Sequence, residues 1–185
     1  MSHTDELKQA YLDKKRAEVQ ALEQAGVVMQ GSAFAEILFL KADFNAEENK
    51  DLANNFFTGQ DGAGLKATCD RLGYAPEAWA ALACADAQLT PLSPDLLRQA
   101  ILTVSPETVV ACDESAAHLL REAYVDELVS IEDFDTATLA AGHIAYLQGM
   151  RVMNLGGFEA SLGSQEGKRT MWAYLKQLTP LRDPY

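Results

Sequence analysis

Positive charge is in short supply in this sequence. Its 15 Lys and Arg face 27 Asp and Glu, a formal net charge of −12. Nucleic-acid binding draws most of its affinity from basic side chains that neutralise phosphates. No basic run stands out, so DNA is a disfavoured partner. Cysteine and histidine are scarce as well. Cys69, Cys84 and Cys112 form no C-x-x-C pair, and His3, His118 and His143 share no ligand spacing. No metal is expected, and the three thiols read as small buried side chains. The apolar runs fall far short of a membrane span, which excludes a membrane partner of that kind. No charged-then-apolar leading segment resembles a secretory signal, so the expected location is the cytoplasm. A serine nucleophile finds no G-x-S-x-G setting.

What is present is a foldable core. A hydrophobic fraction of 48% over 185 residues excludes a disordered chain and suits one domain. Thr4 can cap a helix with Asp5 and Glu6 in its first turn, ending at Gly26. Its loose stripe of Leu7, Ala10, Tyr11, Lys14, Ala17, Val19 and Leu22 suits packing on the domain or on a protein partner. Val27–Met29 reads as a short strand. Ile37-Leu38-Phe39-Leu40 is continuously apolar, as in a parallel strand covered on both faces. A helix follows through Leu65, Cys69 and Leu72, closed by Gly73. Trp79–Cys84 is a strand. Ser93 caps a helix with Pro94 at its first position, and the helix ends before Pro106. Thr108–Cys112 is a strand and Ser115–Leu120 opens a helix. A helical reading covers Asp135–Leu147. A strand over Val152–Leu155 breaks at Gly156-Gly157 and leads to a helix carrying Lys168, Arg169, Met171, Trp172 and Leu178. The tail from Arg182 to Tyr185 is expected to be loose. Strand alternating with helix predicts a parallel sheet with helices on both faces.

Five pieces occur in a telling order. Leu38-Phe39-Leu40-Lys41-Ala42-Asp43-Phe44 with Glu47-Glu48 comes first, then Phe56-Phe57-Thr58-Gly59 with Gly62 and Leu65. Ala80–Cys84 with Ser93-Pro94-Asp95 follows, then Pro106–Val110 with Ala116-Ala117-His118-Leu119-Leu120. Gly157-Phe158-Glu159-Ala160-Ser161-Leu162, Lys168-Arg169 and Trp172 close the series. In this order they resemble the uracil-DNA glycosylase superfamily, nearest to its iron–sulfur-containing bacterial and archaeal branch. The likeness runs from about Val27 to Leu178. It implies an α/β fold: a three-layer α/β/α sandwich around a central, mainly parallel four-stranded sheet. Residues 1–25 would form an N-terminal helix and 26–180 the glycosylase-like domain.

The resemblance also implies a chemistry, which the residues here depart from. The family flips a uracil from DNA, stacks it on a Phe, reads it with an Asn and steadies the departing base with a His. A flipped base must regain its unstacking cost in the pocket, and a departing anion needs a donor where charge develops. The stacking Phe appears as Phe57. The reader falls on Ala80, the His on Gly157 and the following Pro on Phe158. The acidic residue of the family's G-E-A-P-G loop falls on Lys41. Of the cluster cysteines only Cys84 matches, so no iron–sulfur cluster and no other cofactor is expected.

The leading expectation is therefore a catalytically inactive or diverged binding protein of unknown ligand. The alternative is an active nucleobase glycosylase in which Asp43 activates water. A third reading is an acidic protein-interaction module using the N-terminal helix. Phe44, Phe57, Ala80, Asn154, Gly157 and Phe158 are the base-pocket candidates. Lys41, Lys168 and Arg169 are the candidate anion contacts.

Overall fold

The computed structural model describes residues 2–181; the predicted loose tail lies outside them. Sixteen elements follow one another among the described residues. They begin with α1 (His3–Gln24), β1 (Met29–Gly31), β2 (Ile37–Lys41), α2 (Ala46–Lys50) and α3 (Leu52–Asn55). Next come α4 (Gln60–Leu72), β3 (Trp79–Ala83), α5 (Pro94–Val104), β4 (Thr108–Ala111) and α6 (Glu114–Ala123). Then α7 (Val125–Leu128), α8 (Phe134–Ala137), β5 (Ile144–Leu147), β6 (Met150–Asn154), α9 (Phe158–Ser161) and α10 (Gln165–Leu175) complete the series.

The fold is α/β, but its sheet has six strands rather than four. The order is β1-β3-β2-β4-β6-β5. The inner four run parallel, while β1 pairs antiparallel with β3 and β5 antiparallel with β6. The sixth strand arises where a helix was expected over Asp135–Leu147. Only Phe134–Ala137 is helical there. Ile144–Leu147 turns back on β6 through Gln148 (φ 49) and Gly149 (φ 80), a two-residue turn with both centres at positive φ. That geometry matches the twist of an antiparallel pair, and glycine adopts it without steric cost. At the other end, Ser2 rather than Thr4 caps α1, exchanging hydrogen bonds with Asp5 in a capping box.

The alternation of β2 decides where the site lies. Leu38 and Leu40 join a cluster with Leu97, Ile101 and Leu120, from α5 and α6. Ile37 and Phe39 join a second cluster with Leu65, Met171 and Leu175, from α4 and α10. Helices thus cover both faces, and each face has its own apolar core. Successive side chains of a strand point to opposite faces. Lys41 therefore continues the series of Ile37 and Phe39, under α4. It closes the strand at its carboxyl end, where loops of an open α/β sheet gather their functional groups.

Candidate functional site

A charged residue ends a strand whose five positions are all buried. Lys41 is only 2% exposed. A buried ammonium must be paired and hydrogen-bonded. Its Nζ donates to Glu48 Oε1 and Asp61 Oδ2, each at 2.5 Å, and to Glu159 Oε2 at 2.8 Å. The three carboxylates come from the first turns of α2, α4 and α9. Helix N-termini favour negative charge, so acids are stabilised there and a lone cation is not. Three acids converging from three helices explain how Lys41 is held among them. Burial pulls its pKa down, but the hydrogen bonds to Asp61, Glu159 and Glu48 outweigh this and raise it. The sequence makes Lys41 a candidate anion contact; the structure instead engages all its reach with carboxylates.

The surroundings complete this network. Glu48 Oε1 also accepts from the Asn45 N–H at 3.1 Å, and Oε2 from the Phe57 N–H at 3.0 Å. Glu159 Oε1 accepts from Asn45 Nδ2 at 3.1 Å. One acceptor is left over: Asp61 Oδ1 is buried and has no hydrogen-bond partner.

Asp113, the cap of α6, ties the loop after β2 to that helix. Oδ2 accepts from the N–H groups of Ala42 and Asp43, both at 3.1 Å. Oδ1 accepts from Ala116 at 2.8 Å. Burial raises the carboxyl's pKa despite these bonds. Sequence reading missed Asp113, Asp61, Glu48 and Glu159 as site residues.

A cavity of about 280 Å³ opens over this network. Of the residues singled out in the sequence, Lys41, Asp43, Phe44, Gly157 and Phe158 line it, with Asp61, Cys112, Asp113 and Glu159. Asp43 is exposed and accepts from Ser115 Oγ at 2.7 Å. Gly157 leaves open space: a Cβ built there would meet nothing within 4 Å. Asp43 and Phe44 also border a second groove of about 680 Å³, with Leu92, Ser115 and His118.

Other candidates lie elsewhere. Phe57 is 1% exposed and stacks on Phe39, ring centres 5.9 Å apart. Ala80 is fully buried in the sheet, opposite Leu38 and Gly31. Buried Asn154 donates to Glu114 Oε2 and the Leu139 carbonyl and accepts from the Gly156 N–H. It holds its loops together. Lys168 and Arg169 are exposed on α10, outside the cavity.

All three cysteines are buried. Burial pushes the Cys69 thiol up to about 12 and those of Cys84 and Cys112 well above their ordinary value. None is poised as a nucleophile, which acts as the thiolate.

The ligating oxygens of Glu48, Asp61 and Glu159 lie within 4.8 Å of one another, a spacing that suits a metal ion. The Lys41 ammonium already stands among them as the counter-ion. A metal would have to displace it. Among the described residues no helix is long and apolar enough to cross a membrane. Comparison with protein-family models gives no match for this chain, and comparison with curated proteins gives none either.

Proposed function

We propose that this chain is a diverged, catalytically inactive relative of the uracil-DNA glycosylases that binds a ligand in the cleft beyond β2 and β4. The central parallel strands with helices on both faces are compatible with the three-layer sandwich of that superfamily. The observation that carries the reading is the state of Lys41. It is the one basic side chain among the described residues of the cleft, and three carboxylates lock it. It has no donor left to steady a departing base, and Gly157 brings no side chain at all. Losing one such donor typically costs about two to three orders of magnitude in rate. Ala80, buried in the sheet, offers no reader. Four acids line the same cavity, which opposes the approach of a phosphate backbone.

The test uses oligonucleotides carrying uracil, hypoxanthine or xanthine. No base release is expected, and no salt-dependent binding to the undamaged duplex. Release that disappears in Asp43→Ala would establish the rival reading, in which the exposed Asp43 carboxylate activates water.

A second reading rests on α1. Leu7 and Tyr11 are exposed, and Tyr11 stands 5.8 Å from the ring of half-exposed Phe34. Only Lys15 and Leu22 of this helix are buried. These exposed turns suit a protein partner. Leu7→Glu with Tyr11→Glu would abolish such an association while leaving the fold's circular dichroism unchanged.

A further inference from the structure

One helical layer carries exposed apolar side chains at both its ends, set among basic groups at one end and acidic groups at the other. We propose that the chain associates head to tail with a second copy of itself, α1 of one copy seating on the α7–α8 corner of the next. This rests on the reading of α1 as a partner surface.

The first half of α1 is uncovered. Residues 2–14 are all exposed, and Leu7 and Tyr11 each keep more than half of their surface in solvent. Leu7 and Tyr11 share a helix face with Lys15 and Leu22, which are buried. The stripe that seats α1 on the domain therefore runs on into solvent, joined there by the half-exposed ring of Phe34. At the other end, Val125 is 52% exposed, Val129 74% and Phe134 76%. Contiguous apolar surface of this kind marks a contact with another macromolecule.

Charge selects the partner. From Leu7 to Arg16 stand Lys8, Lys14, Lys15 and Arg16 against Asp13 alone. Lys15 is taken up by the Thr103 carbonyl, while Lys8, Lys14 and Arg16 are exposed. Lys14 and Arg16 make only exposed pairs within the helix, at 3.9 Å, which contribute little. From Val125 to Asp135 stand Asp126, Glu127, Glu132, Asp133 and Asp135, with no basic residue. Glu127 is paired with Arg98; among the described residues no Lys or Arg pairs with the other four. Copies of net charge −12 repel one another in most orientations. Setting α1 on α7–α8 brings exposed cations to exposed acids and buries apolar side chains between them, the complementarity that fixes register in an interface.

The two surfaces cannot meet within one copy. Leu22 and Leu128 join the same apolar cluster, so α1 and α7 cover one face of the sheet. Helix α5 stands between them: Lys15 ties α1 to it, and Arg98 ties it to Glu127 of α7. Helix α1 leads into β1 at one border of the sheet, and α8 packs on β5 at the other. The contact is thus heterologous and repeats from copy to copy. It is made by helices and leaves the border strands unpaired.

Sedimentation equilibrium of the full chain, from micromolar to near-millimolar concentration, tests this. The average mass of wild type should rise past that of a dimer, and less steeply as salt is added. Leu7→Glu with Tyr11→Glu removes the head, and Val129→Glu with Phe134→Glu removes the tail. All four side chains are exposed, so circular dichroism should be unchanged. Each variant alone should associate at least about tenfold more weakly. An equimolar mixture of the two retains one intact head and one intact tail, and should stop at a one-to-one dimer. A wild type that stays monomeric overturns the self-contact and leaves α1 to a different protein. A tail variant that associates like wild type also overturns it, because α1 would then pair with itself. A mixture that stays monomeric overturns it as well. Association that survives in the head variant would sink the α1 reading along with it.

Discussion

Lys41 and Glu48 are seven residues apart in the chain and 2.5 Å apart at Nζ and Oε1, with both side chains withdrawn from water. Between them runs the loop that carries Asp43, Phe44 and Asn45 across the mouth of the cavity. The pair closes that loop onto the sheet, and Asp61 and Glu159 bring α4 and α9 to the same point. Four separate segments thus meet at one ammonium.

Removing that ammonium should be severe. Lys41→Met leaves three carboxylates together, two of them buried, and should cost about 3–5 kcal/mol, the usual loss on breaking a buried pair. Urea unfolding of both proteins measures it. The pKa of Lys41 is raised in the fold. Its contribution is therefore fully present below its ordinary value of 10.5 and is lost only as pH climbs through the raised one. The difference between wild type and Lys41→Met should stay flat from neutrality to that alkaline region and shrink above it.

Asp113→Asn tests the tie between β2 and α6. A single amide oxygen cannot serve both Ala116 on one side and Ala42 with Asp43 on the other. At least one N–H group, buried at Ala116 or part-buried at Ala42 and Asp43, loses its acceptor, at about 1–3 kcal/mol. Here the sign with pH is the reverse of the usual carboxylate. The folded pKa is raised above 3.8, so the native state binds the extra proton. The wild-type carboxyl's contribution falls as pH rises from that ordinary value through the folded one. Subtracting the two proteins' stabilities across the acid range should show a declining difference.

The thiols should be silent. With burial holding all three pKa values high, a disulfide reagent at about pH 8, near the ordinary thiol pKa, should label no cysteine in the native protein. All of Cys69, Cys84 and Cys112 should react in denaturant. Fast labelling of Cys112, which borders the cavity, would mean that the cleft opens far more than its structure implies.

Two glycines predict opposite outcomes. A Cβ at Gly62 would lie 2.0 Å from the carbonyl oxygen of Phe57, itself at φ 61. Gly62→Ala must push that loop off α4 and should cost about 1–3 kcal/mol as overpacking. Gly157→Ala enters open space and should change stability by no more than about 0.5 kcal/mol. Thermal denaturation of the two variants compares them directly.

The strands were legible wherever apolarity was continuous. Ile37–Leu40 and Val109-Val110 can only be buried, and Ser93 with Pro94 announces α5, as found. The edge hairpin was hidden because the residues just before it favour helix: Ala137, Leu139, Ala140 and Ala141 are good helix formers. The overriding signal was Gly149, where the chain reverses. The Lys41 network was hidden for another reason. Its partners stand 7, 20 and 118 residues away, and no local pattern joins them. One sign was available: a lysine directly continues a four-residue apolar strand, and if the strand's burial extends to it, counter-charges must come with it. Asp61 and Glu159 open helices and read locally as ordinary first-turn acids, which they also are.

The two outermost strands have a bearing on behaviour at high concentration. β1 spans three residues and β5 four, each set antiparallel to the strand it borders. A lateral newcomer would find few open amides at either border, too short a template for stable pairing. Stacking of copies rim to rim, the route by which flat sheets grow into fibrils, is thus poorly served by this architecture.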